Sequence, residues 1–243
     1  MATYFTSDLH IKEDHPHIAG GFVEFLSKTT EGADAVYVLG DLFEYWIGDD
    51  AAPLLGVQSI LSAMKKRAMQ TPCYFIAGNR DFLVRDGFEQ ASGFTILPDE
   101  TVVDLYGTPT LLLHGDSLCA DDLAHQKFRS EMVTNTVWCD GFLKQPIEQR
   151  IKMAQEARAQ SHEHKASVSM SIMDVNQDAV LNAFTQYGVS NMIHGHTHRQ
   201  QVHDHGIKND NPLIRTVLGD WGTHNSVLTV TPESQTLSNA LLK

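Results

Sequence analysis

The sequence is poor in cysteine and in basic residues, and each shortage excludes a class of protein. Its three cysteines among 243 residues form no C-x-x-C pair, so we expect free thiols in a reducing compartment and no disulfide framework. Lysine and arginine number 18 against 30 acidic residues. The resulting formal charge of −12 argues against nucleic acid as a partner, because nonspecific binding to nucleic acid needs a basic surface.

Segments that would place the chain across a membrane are also lacking. The longest apolar runs have about five residues, whereas a spanning helix needs about 20. The first residues contain neither a basic region nor an apolar stretch of the kind found in secretory signals, so no signal peptide is expected. We therefore expect a cytoplasmic protein that meets a membrane at most peripherally.

Short apolar runs rich in Val, Ile, Tyr and Phe recur along the chain and predict buried strands. These runs occupy residues 2–6, 35–39, 73–77, 110–113, 191–193 and 215–218. Amphipathic segments at 20–28 and 58–69 predict covering helices. Strands that alternate with helices indicate an α/β layered fold, and we expect residues 1–243 to form a single domain.

Residues from about 120 to 170 interrupt this alternation and predict a helical lid inserted between two core strands. Ile147, Ile151 and Ala154 would share one face of a helix there. From residue 121 to 165 the chain carries seven basic and seven acidic residues, so the segment is neutral within an acidic protein. Such a segment could face an anionic substrate or membrane, and an ordinary solvated helical hairpin is the alternative.

Polar side chains able to bind metal ions follow five of the predicted strands. They are Asp8, His10, Asp41, Asn79, His114, His196 and His198. Because the carboxyl ends of strands in an open α/β sheet converge on one crevice, we expect these side chains to meet. Seven ligands are more than one ion can bind, but they suit two Mn²⁺, Fe²⁺ or Zn²⁺ ions if one carboxylate bridges the two ions. Asp41 is the candidate for this bridging carboxylate. In an extended segment the pairs two residues apart would each point the same way.

The order of these motifs resembles that of the calcineurin-like metallophosphoesterases, whose pattern is D-x-H, G-D, G-N-H-D, a histidine and G-H-x-H. The resemblance implies that all seven residues are metal ligands. It also implies the family fold, two sheets flanked by helices in four α/β/β/α layers. Two divalent ions about 3.5–4 Å apart would then clamp a phosphoryl group and activate a water held at the Asp41 site.

One position departs from the family pattern. Arg80 stands where the family has the histidine of G-N-H-D, which commonly protonates a leaving alkoxide or steadies the transition state. Arginine does not release its proton, but it neutralises phosphoryl charge through paired hydrogen bonds. We therefore expect Arg80 to stabilise transition-state charge on a substrate whose leaving group needs no proton, which favours a diphosphatase over a monoesterase.

Longer motifs, at 41–50, 78–82, 114–119, 172–176 and 194–199, resemble a narrower family, the diphosphatases of lipid A biosynthesis in Gram-negative bacteria. That resemblance implies hydrolysis of UDP-2,3-diacylglucosamine to UMP and the diacylated sugar 1-phosphate. It further implies Mn²⁺ as the metal and peripheral attachment to the cytoplasmic side of the inner membrane. The candidates for contact with the substrate are Asn79, Arg80, Asp122, Ser161, Lys165 and His196.

The lid offers apolar and basic side chains for such a substrate. Each buried CH₂ of an acyl chain contributes about 0.8 kcal/mol, so a groove would need an apolar wall. The candidates for this wall are Met132, Val133, Trp138, Phe142 and Leu143, and packing against the core is the alternative. The candidates for contact with anionic lipid are Lys144, Arg150 and Lys152, and plain solvation is the alternative.

Two other hypotheses compete with this one. The first is a soluble nucleotide diphosphatase of the same superfamily, acting on dinucleoside polyphosphates or simple UDP-sugars. The second is a non-catalytic scaffold that keeps the fold without the chemistry, which the complete set of seven ligand positions disfavours. We expect a monomer under the leading hypothesis.

Overall fold

Two β-sheets packed face to face form the centre of the computed structural model. The structure describes residues 1–167, 174–208 and 211–242, and for residues 160–167 it describes the backbone alone. The strands of the described residues are β1 (Thr3–Thr6), β2 (Ala35–Leu39), β3 (Cys73–Ile76), β4 (Thr95–Leu97), β5 (Glu100–Leu105), β6 (Thr108–Leu113), β7 (Asn191–His194), β8 (Gln201–Lys208), β9 (Asn211–Val217), β10 (His224–Val230) and β11 (Gln235–Leu241). The α-helices are α1 (Pro16–Glu24), α2 (Gln58–Ala68), α3 (Asp86–Ser92), α4 (Leu123–Phe128), α5 (Thr136–Leu143), α6 (Ile147–Ser167) and α7 (Gln177–Tyr187). Short segments of π-helix (Phe25–Thr29, Arg129–Val133) and 3₁₀-helix (Asp49–Leu55, Asp116–Leu118) complete the helical elements.

Both sheets are mixed, with a parallel centre. The first has the order β11-β10-β1-β2-β3-β4, in which β1 to β4 run parallel and β10 and β11 are antiparallel additions. The second has the order β5-β6-β7-β9-β8, in which β6, β7 and β9 run parallel. The carboxyl ends of β1, β2 and β3 in one sheet and of β6 and β7 in the other therefore supply the loops at which a site is expected.

Strand β2 shows how the residue pattern produces the layers. Successive side chains of a strand point to opposite faces. Val36 and Val38 join the cluster beneath the helices, whereas Tyr37 and Leu39 join the cluster between the sheets. There the Tyr37 ring stacks on Phe5 at a centroid distance of 4.9 Å. Apolar residues at every position of β2 thus fill two cores at once, as expected for a strand covered on both faces.

Helices cover the outer face of each sheet. Phe22 of α1, Met64 of α2 and Phe88 of α3 are buried in the cluster on the first sheet. On the second sheet, Val180 and Phe184 of α7 are buried in a separate cluster. The predicted four-layer α/β/β/α sandwich is therefore confirmed, whereas the treatment of residues 1–243 as one domain stays a prediction. Among the described helices, none is long and apolar enough to cross a membrane.

Helices α4, α5 and α6 lie between β6 and β7, where the sequence predicts a lid. Side chains mark two of their beginnings: Asp122 accepts a hydrogen bond from the His125 N–H at 2.9 Å, and Asn135 accepts one from the Trp138 N–H at 3.0 Å. Ile147, Ile151 and Ala154 pack on the cluster of the first sheet, as their shared face predicts. That this segment acts as a lid stays a prediction.

Arg150 ties α6 to the loop that follows β2. Its side chain is 2% exposed, and its guanidinium donates to the Ile47 carbonyl at 2.5 Å and to both Asp50 carboxylate oxygens at 2.8 and 2.5 Å. The hypothesis that Arg150 contacts anionic lipid is therefore wrong, because this cation is buried and paired within the protein. Lys144 and Lys152 are exposed, and for them the hypothesis stays a prediction.

Candidate metal centre

The side chains predicted to bind metal ions lie on five loops that follow parallel strands. Asp8 and His10 follow β1, Asp41 follows β2, Asn79 follows β3, His114 follows β6, and His196 and His198 follow β7. The loops come from both sheets, so the centre sits where the two parallel edges meet. The structure brings all seven side chains into two connected groups.

The first group consists of Asp8, His10 and His198. The His10 and His198 Nε2 atoms are 3.4 Å apart, and His198 Nε2 lies 3.4 Å from Asp8 Oδ1. Asp8 is fully buried, and its Oδ1 atom accepts no hydrogen bond from the described residues. A buried carboxylate oxygen without a donor is costly unless a cation compensates it, so this group fits a divalent metal ion.

The second group is built around Asp41 and His114. The His114 Nε2 atom lies 3.6 Å from Asp41 Oδ2 and 3.2 Å from Asn79 Oδ1, which in turn lies 3.1 Å from His196 Nδ1. Asp41 Oδ2 is also 4.0 Å from His10 Nε2 in the first group. Its position between the two groups suits a carboxylate that bridges two ions.

Comparison with known proteins agrees with this geometry. The family model described as calcineurin-like phosphoesterase matches residues 1–200. The chain belongs to this phosphoesterase family. A UDP-2,3-diacylglucosamine hydrolase of Escherichia coli O7:K1 is 45% identical over 234 residues, covering 96% of each chain. A protein of the same description from Edwardsiella ictaluri is 43% identical over 230 residues, covering 95% of this chain and 88% of that one. The phosphoesterase is accordingly a metal-dependent hydrolase that acts at phosphorus.

Solved structures support the fold alone. A novel archaeal phosphodiesterase superimposes with a TM-score of 0.51 at 13% identity, over 100% of both chains. A dimetal phosphatase from Danio rerio gives a TM-score of 0.51 at 12% identity, over 100% of this chain and 96% of that one. Similarity at this level places the phosphoesterase among proteins that share the sandwich.

The backbone at five of the seven positions is left-handed. The φ angles are 55° at Asp8, 49° at His10, 53° at Asp41, 67° at His196 and 59° at His198. The assumption that Asp8-x-His10 and His196-x-His198 are extended is therefore wrong. This conformation is uncommon outside glycine and concentrates at functional sites, although aspartate and histidine tolerate it better than most residues. Each tight turn aims its side chain into the centre of the phosphoesterase.

Asp81 joins two of the ligand-bearing loops, a role that the sequence analysis missed. Its fully buried carboxylate accepts hydrogen bonds from the backbone N–H groups of Asp41 at 3.2 Å, Leu42 at 2.8 Å, Phe43 at 3.4 Å and Gly78 at 2.8 Å. Burial, and then the charge of Asp41, raises the pKa of Asp81 to about 7. Its place in Gly-Asn-Arg-Asp was the available signal, but a motif does not reveal which backbone groups a carboxylate binds.

The loop after β7 is held against Asp8. The second carboxylate oxygen of Asp8 accepts hydrogen bonds from the Ser7 hydroxyl at 2.6 Å and from the His196 backbone N–H at 2.9 Å. A Cβ atom at Gly195 would overlap this oxygen, so only glycine allows the approach. Although burial opposes ionisation, the neighbouring His198 lowers the pKa of Asp8 below its ordinary value.

His114 has a fixed orientation. Its Nδ1 atom lies 2.8 Å from the Leu39 carbonyl oxygen, which can only accept, so Nδ1 carries a hydrogen. The Nε2 atom then faces Asp41 and Asn79. Burial alone would lower the pKa of His114, but the charges of Asp41 and Asp8 raise it to about 9.

A buried pair supports the same region from behind. His194, at the end of β7, donates through Nδ1 to the Gly195 carbonyl at 2.9 Å and accepts from Arg215 on β9 at 3.0 Å. Burial, and then the charge of Arg215, lowers the pKa of His194 to about 3, so the ring is neutral. This histidine therefore orients the loop that carries His196 and His198 and is not one of the predicted ligands.

The predicted substrate contacts lie at different places. Asn79 and His196 belong to the second metal group, and both line a cavity of about 510 Å³ together with Arg80 and Asp122. Asp122 is 6% exposed and also caps α4. The side chains of Ser161 and Lys165 lie outside the described residues. For all six residues, contact with the substrate stays a prediction.

Two further ion-pair clusters reach this cavity and were missed from sequence. Asp116, which follows His114 in the His-Gly-Asp motif, receives a hydrogen bond from Arg129 at 2.8 Å and lies 3.8 Å from His125, which lines the cavity. On the other wall, Arg158 pairs with Glu44 at 3.0 Å. Both clusters join the predicted lid to the core. Arg158 and Glu44 are more than 100 residues apart along the chain, so their pairing leaves no local sequence signal.

Proposed function

We propose that the phosphoesterase hydrolyses the pyrophosphate bond of UDP-2,3-diacylglucosamine, giving UMP and 2,3-diacylglucosamine 1-phosphate for lipid A biosynthesis. The observation that carries the proposal is the cavity of about 510 Å³, which joins the metal-ligand candidates to an aromatic wall. The descriptions of the Escherichia coli and Edwardsiella relatives support this substrate.

The wall of the cavity suits acyl chains. Phe82 lies edge-on to Phe128 and beside Trp138, each at a centroid distance of 6.2 Å, and Trp138 stacks on Phe142 at 5.1 Å. Met132 also lines this part of the cavity. Val133 and Leu143 are not among the described residues that line it. Because each buried CH₂ contributes about 0.8 kcal/mol, the wall favours a lipid over a simple nucleotide sugar.

The polar end of the cavity would hold two metal ions, for which we propose Mn²⁺. Asp8, His10 and His198 would hold one, Asn79, His114 and His196 the other, and Asp41 both. When bound, such a pair lowers the pKa of water toward neutrality and neutralises phosphoryl charge. The residues themselves orient the ligands: Leu39 fixes the His114 ring, and Asp81 fixes the loops of Asp41 and Asn79.

Arg80 would act on the phosphoryl oxygens. It borders the cavity beside Asp41, and its backbone N–H donates to Asp41 Oδ1 at 2.8 Å, which fixes the start of the side chain. A guanidinium keeps its charge, so it would stabilise the transition state without supplying a proton. A leaving phosphate needs none, which favours the diphosphate. Asp122 would contact the substrate head group, and Ser161 and Lys165 remain candidates on α6.

We further propose that the protein acts as a monomer, peripherally attached to the cytoplasmic side of the inner membrane. Support comes from two exposed apolar side chains on the helices next to the cavity, Leu123 at 78% and Val137 at 81% exposure. Apolar groups at this place would meet the bilayer from which an acylated sugar enters. The basic candidates Lys144 and Lys152 would add attraction to anionic lipid.

The test is release of UMP by the purified, Mn²⁺-loaded enzyme from UDP-2,3-diacylglucosamine and, separately, from acyl-free UDP-N-acetylglucosamine. We expect rapid hydrolysis of the acylated substrate alone, with Asp41→Ala inactive and the exposed control Asp86→Ala fully active. Reaction in ¹⁸O-water with ³¹P detection identifies the phosphorus attacked. Comparable rates on both substrates would instead favour the soluble nucleotide diphosphatase, and an intact acylated substrate would refute the proposal.

A further inference from the structure

A second cavity, of about 310 Å³, adjoins the metal centre. It shares His10, Glu44 and Arg80 with the larger, aromatic cavity, so the two meet at the metal ligands and at the arginine expected to bind phosphate. The rest of its lining comes from the connection between β1 and α1, from α1 itself and from the segment after β9. None of the lining residues described for it belongs to helices α4 to α6.

The second cavity differs chemically from the first. Lys12 is one third exposed, and its amine lies 3.6 Å from a carboxylate of the largely exposed Asp14, a contact that solvent screens and a phosphate can replace. Asp220, half exposed, offers a carboxylate, and His15 offers a flat imidazole. The Lys12 amine could bind a phosphate, the Asp220 carboxylate could accept hydrogen bonds from ribose hydroxyls, and the His15 ring could stack on a base.

We propose that this cavity binds the nucleotide half of the substrate, a nucleoside 5′-monophosphate unit. Its volume lies at the lower end of the range of about 300–1,000 Å³ usual for small-molecule sites. The inference rests on the proposed function, in which an acylated sugar and a nucleotide are joined by a diphosphate. The lipid half then occupies the aromatic cavity, the diphosphate spans His10 and Arg80, and the nucleotide lies against Lys12.

Each residue has a separate part in this binding mode. The amine of Lys12 and the guanidinium of Arg80 contact the phosphate of the nucleotide. The Asp220 carboxylate accepts hydrogen bonds from the ribose hydroxyls, and the His15 ring stacks on the base. Lys12 and His15 lie outside the set of metal-ligand candidates, so replacing them leaves the metal centre intact.

The experiment measures binding of each product to the Mn²⁺-loaded protein by calorimetry. With Lys12→Ala we expect UMP to bind about tenfold more weakly, the effect of losing one charge-assisted hydrogen bond, while 2,3-diacylglucosamine 1-phosphate binds as to the wild type. Lys28→Ala, which removes an exposed lysine from the π-helical turn after α1, should change neither constant. Trp138→Ala, in the aromatic wall, should weaken the lipid product and leave UMP unchanged.

A second comparison separates the base from the phosphate. His15→Ala should weaken UMP but not ribose 5-phosphate, whereas Lys12→Ala should weaken both. The inference is overturned if UMP fails to bind the wild type, if Lys12→Ala leaves UMP binding unchanged, or if it weakens both products equally. Failure of the proposed function would give a different result: the wild-type enzyme would bind UMP but would not hydrolyse the acylated UDP-sugar.

Discussion

Replacing Asp81 by asparagine tests how the metal centre is held. The carboxylate accepts four backbone hydrogen bonds, two on each oxygen, from the loops that carry Asp41 and Asn79. An amide keeps one accepting oxygen and turns an NH₂ group toward the other two N–H donors. At about pH 8, where Asp81 is mainly ionised, losing two hydrogen bonds to a charged acceptor would cost about 3–6 kcal/mol, at about 1.5–3 kcal/mol each. The neutral amide also removes the burial cost and the repulsion by Asp41 that raise the pKa of Asp81. We therefore expect a smaller net fall in the free energy of unfolding, of about 1–3 kcal/mol.

The assay is urea denaturation with a chelator present, so that the metal does not contribute to stability. The exposed control Asp86→Asn should stay within about 0.5 kcal/mol of the wild type. Titration of the folded protein with Mn²⁺ should show affinity reduced about 10–100-fold in Asp81→Asn, the usual effect of losing a group that orients ligands. Wild-type stability together with wild-type affinity would refute the idea that Asp81 holds the loops in register.

Two further predictions concern buried charged or titratable groups. Arg150→Ala should lower the free energy of unfolding by about 1–3 kcal/mol. This is less than for a fully buried ion pair, because Asp50 is 61% exposed. The substitution should also speed proteolysis within α6, and an unchanged cleavage rate would contradict the link between α6 and the loop of Ile47. The pKa of His194 is lowered to about 3 in the folded protein, whereas in the unfolded chain it is about 6.5. Unfolding therefore takes up a proton between these two pH values. The free energy of unfolding should fall as the pH drops from about 6.5 toward 3. Denaturant titrations should show a shallower fall in His194→Gln, and identical slopes in this window would refute the assignment of a neutral His194.

Six of the seven inner strands of the two sheets were predictable because they carry short apolar runs, and β10 is the inner strand that was not predicted. All six apolar runs of the sequence have a counterpart among β1, β2, β3, β6, β7 and β9. The five remaining strands, β4, β5, β8, β10 and β11, were not predicted. Two of them, β8 and β11, are exposed edge strands with polar residues on both faces, and they form because a neighbour supplies hydrogen bonds.

The members of the candidate centre were predictable from their position after strands, but its geometry was not. The positions of the Asp8 and Asp41 carboxylates depend on glycines of other loops, since a Cβ at Gly195 or at Gly78 would overlap them. Such contacts join loops more than 35 residues apart and leave no periodic signal. For the same reason the orienting role of Asp81 appears only in three dimensions.

The left-handed backbone at five ligand positions sets activity against stability. At each of these positions a side chain costs about 1–2 kcal/mol relative to glycine, somewhat less for aspartate and histidine. Summed over five positions, the cost approaches the 5–15 kcal/mol by which whole domains are stable. Selection for thermal stability alone would therefore favour glycine at these five positions and remove the candidate metal ligands. Engineering of a more thermostable enzyme should leave these five residues unchanged and introduce its stabilising substitutions in the helices.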